Sequence, residues 1–178
     1  MTSHENGGRG LISKRKSKQA VKAGRIHWDR HKSVSENASE KLPELARQYF
    51  EAGRALGTDP SFEALHRFRL FTKRFRYTLE LFRPCYGPGL NIRIEALGLV
   101  QQYLGDINDC ATTEALALAR NDVPEAERAP LLRQVKELAG RRVAKFRQHW
   151  DRDYAPARRE QWWTDYLSRF AGRGIEVM

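Results

Sequence analysis

Residues 61–83 form the segment of the chain in which closely spaced cationic side chains could do chemistry. With one residue every 100° around a helix, Phe68, Phe71, Phe75, Leu79 and Phe82 fall within an arc of about 80°, which predicts a core face. On another side, five side chains fall within about 100° of one another and form what we call the basic stripe: His66, Arg69, Lys73, Arg76 and Arg83. Glu80 is the one acidic residue within this stripe, and Arg67 and Arg74 form a second, smaller basic row.

The charge of this predicted helix favours a polyanionic ligand. From His66 to Arg83, six Arg or Lys residues stand against one Glu, a net charge of +5. Like charges one turn apart repel by a few tenths of a kcal/mol per pair, so a purely structural helix would carry more interleaved acids. The planar fork of Arg binds two phosphate oxygens at once, and the stripe extends along about 25 Å of helix axis. The structural alternative to ligand binding is that the stripe is a solvated helix face, on which the aliphatic parts of the long Arg and Lys side chains cover apolar surface.

The rest of the positive charge lies near the amino terminus. The chain has 178 residues and a net charge of +10, and residues 1–34 contain nine basic and two acidic residues. Their composition predicts a flexible basic arm over residues 1–34, followed by a helical domain over residues 35–178. We expect a cytoplasmic protein without a membrane span, because no apolar run approaches about 18 residues and Cys85 and Cys110 are too few for a disulfide framework.

The pattern after residue 34 predicts an all-α fold, because no alternating strand pattern occurs and helix-breaking residues separate apolar periodic segments. Short turns between the helices favour an antiparallel helical bundle with a four-helix core and an added long C-terminal helix. The predicted helices cover about residues 39–56, 61–83, 89–104, 106–121, 124–151 and 157–170. Ser39 and Ser61 are the predicted caps of the first two, Gly105 is expected to end the third, and Pro130 marks a kink or the true start of the fifth.

Two further arginines, Arg93 and Arg142, lie in otherwise apolar arcs of their predicted helices. A buried unpaired guanidinium is costly, so each needs an anion: an internal carboxylate such as Asp106 or Asp109, or a bound phosphate. Both readings stay open, and both arginines are included among the predicted phosphate contacts. His149 shares the arc of Arg142 and is interpreted as a packing residue.

Other candidate sites are weaker. Asp106, Asn108 and Asp109 could be ligands of a metal, but acidic groups at a helix start are ordinarily caps, which is the preferred interpretation. His27 and His31 have a spacing that zinc sites use but lack a third ligand. The pair Trp162-Trp163 indicates an apolar anchor. We predict no metal, no cofactor and no catalytic residues, because no nucleophile with its base and no paired carboxylates can be assembled.

The order of two motifs resembles a known family. His66-x-x-Arg69 is followed by Lys73-Arg74-x-Arg76-Tyr77 and Leu79-Glu80-Leu81-Phe82, and then by Leu104-Gly105 with Asp109 four residues beyond the glycine. Over about residues 35–150 this resembles the CHAD domain, the conserved histidine α-helical domain. The resemblance implies an all-helical bundle that binds inorganic polyphosphate through basic side chains and has no catalytic activity of its own.

One departure from that family concerns the number of motif sets. CHAD domains often contain two related four-helix halves around a basic channel, whereas this chain has room for one set of motifs. It is therefore either a reduced form or one half of a homodimer. The leading hypothesis is non-enzymatic polyphosphate binding along residues 61–83. The alternatives are a nucleic-acid-binding protein that uses the basic arm and an enzyme acting on phosphoanhydrides, which would need metal-binding carboxylates near the stripe.

Overall fold

A computed structural model describes residues 27–172, and every regular element within that range is helical. The six α-helices are α1 (Val34–Arg54), α2 (Phe62–Leu81), α3 (Arg83–Tyr86), α4 (Asn91–Ala119), α5 (Glu125–Asp153) and α6 (Ala157–Arg169), with a 3₁₀ turn at Pro88–Leu90. The predicted all-α class is confirmed. None of the helices between residues 27 and 172 combines the length and the apolar character that crossing a membrane requires.

The long helices pack against one another in opposite directions. As the residue number rises along α4, the number of the contacting residue falls along α5, in the pairs Tyr103–His149, Cys110–Arg142 and Glu114–Lys136. Helices α1 and α6 also run in opposite directions, since Arg54 pairs with Glu160 at 2.6 Å while Ser35 lies near Gly172. The bundle architecture is therefore as predicted.

The core forms where the aromatic face of α2 meets α1. Phe75 and Leu79 are fully buried, and Phe68, Phe71 and Phe82 are at most 6% exposed, which confirms the predicted core face. Tyr49 of α1 stacks on Phe68 with ring centroids 5.1 Å apart. Burial of aromatic side chains of this size dominates core energetics, so this packing fixes the rotation of α2 about its axis.

Helices α5 and α6 close the other side of the core. The ring of Trp150 lies so near Gly53 of α1 that a Cβ atom at Gly53 would stand 1.9 Å from it, so only glycine permits this approach. Trp163 of α6 is fully buried and tilts against Phe50, with ring centroids 5.9 Å apart. Trp163 is thus the predicted apolar anchor, while Trp162 remains 40% exposed.

Helix α1 begins earlier than predicted. Its cap is Ser33, whose hydroxyl accepts from the Glu36 backbone N–H while the Glu36 carboxylate accepts from the Ser33 N–H. This reciprocal capping box satisfies two donors at the start of the helix. The prediction of Ser39 as the cap was wrong, because Ser39 lies inside the helix and its hydroxyl donates to the Glu36 carbonyl.

Helix α4 is continuous where the sequence predicted two helices. Gly105 lies in its middle, so the predicted break there was wrong. Three apolar residues follow helical spacing across the glycine and are at most 2% exposed: Leu97, Leu104 and Ile107. The free energy gained by burying them outweighs the cost of about 1 kcal/mol for a glycine inside a helix. Asp106, Asn108 and Asp109 are consequently mid-helix residues, and the interpretation as caps was also wrong.

The remaining boundaries differ by small amounts. Helix α2 begins after Ser61, as predicted, but ends at Leu81, and Pro84 lies in the short helix α3. Pro130 lies inside α5, which begins after Pro124. Residues 27–34 of the predicted arm pack on the bundle: Trp28 lies against Phe82 with ring centroids 4.9 Å apart. Residues 1–26 of the arm lie outside the described residues.

Candidate functional site

The basic stripe lies along the seam between α2 and α4. The Ser61 hydroxyl caps α2 by accepting from the Ala64 N–H, and the aromatic core face of α2 is turned toward α1. This rotation leaves the stripe beside α4. Arg69 and Arg76 are half-buried, whereas His66, Lys73 and Arg83 are exposed, so the stripe reaches solvent along its whole length.

Three amide side chains of α4 accept hydrogen bonds from the stripe. His66 Nδ1 lies 2.9 Å from Asn108 Oδ1, Arg76 Nη1 donates to Gln101 Oε1 at 3.3 Å, and Arg83 Nε donates to Asn91 Oδ1 at 2.8 Å. We call Asn91, Gln101 and Asn108 the amide row. Four residues of the basic stripe lie on α2, Arg83 lies at the start of α3, and the amide row lies on α4. We call the seam between these two rows the α2–α4 groove.

These hydrogen bonds leave most of the positive charge uncompensated. An amide oxygen is a neutral acceptor, so it orients a cation without cancelling its charge. Within the stripe, the carboxylate contact seen among residues 27–172 is that of Glu80, whose Oε1 lies 2.9 Å from Arg76 Nε. Nε of Arg69 is buried without a hydrogen-bond partner among residues 27–172. The groove therefore offers donors and positive charge to an anion.

A cavity of about 260 Å³ opens at the His66 end of the groove. His66 and Asn108 line it together with apolar side chains, among them Leu104 and Ile107. Because the Asn108 oxygen can only accept, His66 Nδ1 carries the proton of their hydrogen bond. Nε2 is then the ring nitrogen left for a ligand.

The second basic row lies away from the groove. Arg67 pairs with Glu63 one turn earlier on the same helix, and the guanidinium of Arg74 lies 5.8 Å from the Phe71 ring. On the helix, an exposed row of Leu70, Tyr77 and Leu81 separates Arg67 and Arg74 from the stripe. Arg67 and Arg74, which the sequence predicted as phosphate contacts, therefore lie outside the groove.

Tyr77 is an exposed aromatic side chain of α2 beside the basic stripe. It is 49% exposed. The Lys73 ammonium and the Arg76 guanidinium lie 5.7 Å and 5.9 Å from the centre of its ring. Cations at these distances are attracted to the face of an aromatic ring, so Tyr77 marks the edge of the stripe.

The structure does not bring Arg93 to the groove. Arg93 is 2% exposed, and its guanidinium lies between the rings of Trp162 and Tyr166, 3.5 Å and 3.7 Å from their centres. It donates to the Trp162 carbonyl at 2.9 Å. Burial lowers the pKa of Arg93 to about 10, with the nearby Arg159 adding to the effect. The partners of this arginine are aromatic rings and a carbonyl rather than the predicted carboxylate or phosphate. Because Arg93 belongs to α4 and these partners belong to α6, the contacts hold the two helices together.

Arg142 lies at the α4–α5 seam, away from the basic stripe. Its Nη1 donates to the backbone carbonyl of Asp106 and to Cys110 Sγ, the latter at 3.2 Å. Asp106 is thus an internal partner, as predicted, but through its carbonyl rather than its carboxylate. His149 is 6% exposed and packs on the Tyr103 ring at 4.9 Å, in agreement with its interpretation as a packing residue.

The described part of the chain contains no group of three or more His, Cys, Asp or Glu side chains placed to hold a metal ion. Asp106 and Asp109 are exposed on α4, and both cysteines are buried and free.

Sequence reasoning missed the amide row because it divided α4 at Gly105. Gln101 and Asn108 are seven residues apart, so they lie on one face of a continuous helix. The buried residues Leu97 and Leu104 have the same spacing and indicate that this side of the helix faces the bundle. A helical wheel drawn through Gly105 would have placed both amides beside the core.

Comparisons with known proteins identify one matching family. The model of the family described as the CHAD domain matches residues 11–118, more than half of the chain. The match contains α1, α2 and nearly all of α4, and with them both walls of the groove. No curated protein and no solved structure matches the chain. Since the matched residues include the motif from His66 to Asp109, the chain belongs to the CHAD domain family.

Proposed function

We propose that this chain binds inorganic polyphosphate in the α2–α4 groove and acts as a binding module rather than an enzyme. The observation that carries the proposal is the pairing of the stripe with neutral amides, which orients His66, Arg76 and Arg83 without adding negative charge. The CHAD family is associated with polyphosphate binding, which agrees with a linear anion as the ligand.

The shape of the groove favours a linear polyanion over a single phosphate. His66 and Arg76 are ten residues apart on α2, which corresponds to about 15 Å along the helix axis, and Arg83 lies just beyond the end of that helix. Cations distributed over that length neutralise successive charges of an extended chain. Binding of this kind releases counterions, so the logarithm of the affinity falls linearly with the logarithm of the salt concentration.

An enzyme acting on phosphoanhydrides would need carboxylates to hold a metal ion beside the phosphates. The one acid of the stripe, Glu80, is paired with Arg76. Across the groove, α4 presents amides to the stripe rather than carboxylates. This donor set supports binding without hydrolysis, and the absence of phosphate release from polyphosphate incubated with the protein is the expected result.

The deciding experiment is the double substitution Arg69→Ala, Arg76→Ala. The matched control is Arg133→Ala, Arg141→Ala, which removes two exposed arginines from α5. Loss of two charge-assisted hydrogen bonds at about 1.4 kcal/mol each lowers the affinity for long-chain polyphosphate about a hundredfold. The slope of log affinity against log salt becomes shallower by about 1.5, whereas the control changes both quantities slightly. Equal losses in the two folded variants would place the ligand elsewhere.

Nucleic acid is a second candidate ligand because Tyr77 is exposed between two cations. Exposed aromatic rings beside a basic groove stack nucleobases, and one stacked base contributes about 1–3 kcal/mol. The substitution Tyr77→Ala separates the two ligands, since it would weaken binding of single-stranded DNA or RNA but leave polyphosphate binding nearly unchanged. A competition experiment between polyphosphate and a short oligonucleotide at fixed salt concentration ranks the affinities of the two ligands.

We further propose that polyphosphate promotes a homodimer of this single-bundle chain. Two stripes of net charge +5 repel each other unless an anion lies between them. Light scattering should therefore show association on addition of long-chain polyphosphate and none in low salt without it. A monomer at saturating ligand would show that one groove is sufficient.

A further inference from the structure

We propose that the amide row binds the phosphate chain directly, so that α4 supplies an uncharged second wall of contacts opposite the basic stripe. This inference rests on the proposed function and adds three ligand contacts to it: Asn91, Gln101 and Asn108. Their role is to donate side-chain N–H groups to phosphate oxygens while their carbonyl oxygens hold the cations of α2.

The hydrogen bonds in the groove determine which end of each amide remains free. An arginine has donors and no acceptor, so the groups that face Arg76 and Arg83 must be the amide oxygens of Gln101 and Asn91. Each amide NH₂ carries two donors. None of the three NH₂ groups has an acceptor among residues 27–172, although all three side chains are half-buried.

Phosphate oxygens are acceptors, and they complement both kinds of donor in the groove. A chain lying along the seam would meet guanidinium and imidazole N–H groups from α2 and amide N–H groups from α4. A carboxylate at any position of the row would cancel a neighbouring cation and repel the ligand. An amide orients the cation in advance, which reduces the entropy lost on binding.

Because of the spacing of the amide row, the contribution of the amides to affinity depends on the length of the polyphosphate. Asn91 and Asn108 are 17 residues apart, or about 25 Å along α4. The cationic residues that they contact, Arg83 and His66, are also 17 residues apart in the sequence. A long polyphosphate can meet all three amides, whereas a short one reaches a single amide. The higher affinity for long polyphosphates than for short ones is therefore partly due to α4.

The test removes two amides without changing the charge. The variant is Gln101→Leu, Asn108→Leu, and its matched control is Gln134→Leu, Asn121→Leu, which changes two exposed amides outside the groove. We expect affinity for long-chain polyphosphate to fall about tenfold, at roughly threefold per neutral hydrogen bond, and affinity for tripolyphosphate to fall threefold or less. The salt slope should stay unchanged, in contrast to its decrease in the Arg69→Ala, Arg76→Ala variant.

A second measurement separates direct contact from positioning of the cations. In nuclear magnetic resonance spectra, the side-chain N–H signals of Asn91, Gln101 and Asn108 should shift on addition of long-chain polyphosphate, while the signal of Gln134 should not. Unshifted signals, or wild-type affinity in the folded double variant, would overturn the inference. Failure of the wild-type protein to bind polyphosphate, or binding that does not depend on Arg69 and Arg76, would instead refute the proposed function.

Discussion

Glu80 reduces the positive charge of the α2–α4 groove, so the substitution Glu80→Gln tests where the polyanion lies. The Glu80 carboxylate is 2.9 Å from Arg76 Nε, and both side chains are about one-third exposed. The substitution keeps the size of the side chain and raises the net charge between His66 and Arg83 from +5 to +6. Arg76 keeps its second partner, Gln101, on α4.

The magnitude follows from two opposing effects. A carboxylate and a phosphate about 4 Å apart repel by about 1 kcal/mol in a high-dielectric setting, so removing this repulsion strengthens binding about fivefold. One more neutralised phosphate steepens the salt slope by about 0.7–0.9. The lost ion pair, a partly exposed pair one turn apart, lowers the free energy of unfolding by about 0.4 kcal/mol, which corresponds to a fall in Tm of about 1–2 °C.

The assay is a titration of fluorescently labelled long-chain polyphosphate at three salt concentrations, with thermal unfolding followed by circular dichroism. The matched control is Glu137→Gln, which removes one exposed carboxylate from α5. We expect the gain in affinity for Glu80→Gln alone. If both variants gained equally, or if Glu80→Gln bound no more tightly than the wild type, the polyanion would not lie in the groove.

Three further predictions concern the arm and the packing around the groove. Residues 1–26 carry seven basic residues and one acid. In the same titration, their deletion should make the slope of log affinity against log salt shallower without abolishing binding. Complete loss of binding would instead place the site on the arm. Arg93→Ala should lower the free energy of unfolding in urea by about 2–4 kcal/mol, because it leaves the Trp162 and Tyr166 rings without their partner, and should leave polyphosphate affinity unchanged. Burial lowers the pKa of His149, and the contact with Asp153 offsets part of this shift. Below the ordinary pKa of 6.5, the unfolded chain therefore binds more protons than the folded chain. The free energy of unfolding should therefore fall as the pH is lowered from 7 toward 5, and His149→Gln should remove that dependence in urea titrations.

Local patterns in the sequence were sufficient to predict the cationic helix α2 and its core face. The side chains of residues 61–83 repeat with the period of a helix, and the large aromatic residues occupy one arc, so the opposite placement of core face and basic stripe follows from helical geometry alone. The start of α2 at Ser61 is equally local, because a serine hydroxyl can cap the helix that begins beside it. The capping box at Ser33 is local as well, and the pattern Ser33-x-x-Glu36 contained the signal.

Features that depend on contacts between distant residues could not be predicted in this way. Gly105 suggests a helix end when its neighbours are considered alone, and only the burial of Leu104 and Ile107 against other helices keeps α4 continuous. The partners of Arg93 lie about 70 positions further along the chain in α6, and no local pattern distinguishes an aromatic clamp from a phosphate contact.

The sequence alone therefore determined that one helix of this protein presents a row of cations, because helical periodicity relates residues within a few turns of one another. The tertiary structure decided what those cations face. The side of α4 that lies against α2 depends on how the aromatic core rotates both helices, and that rotation places Asn91, Gln101 and Asn108 beside the stripe. A cationic helix becomes a groove with two walls only when packing brings a second helix alongside it.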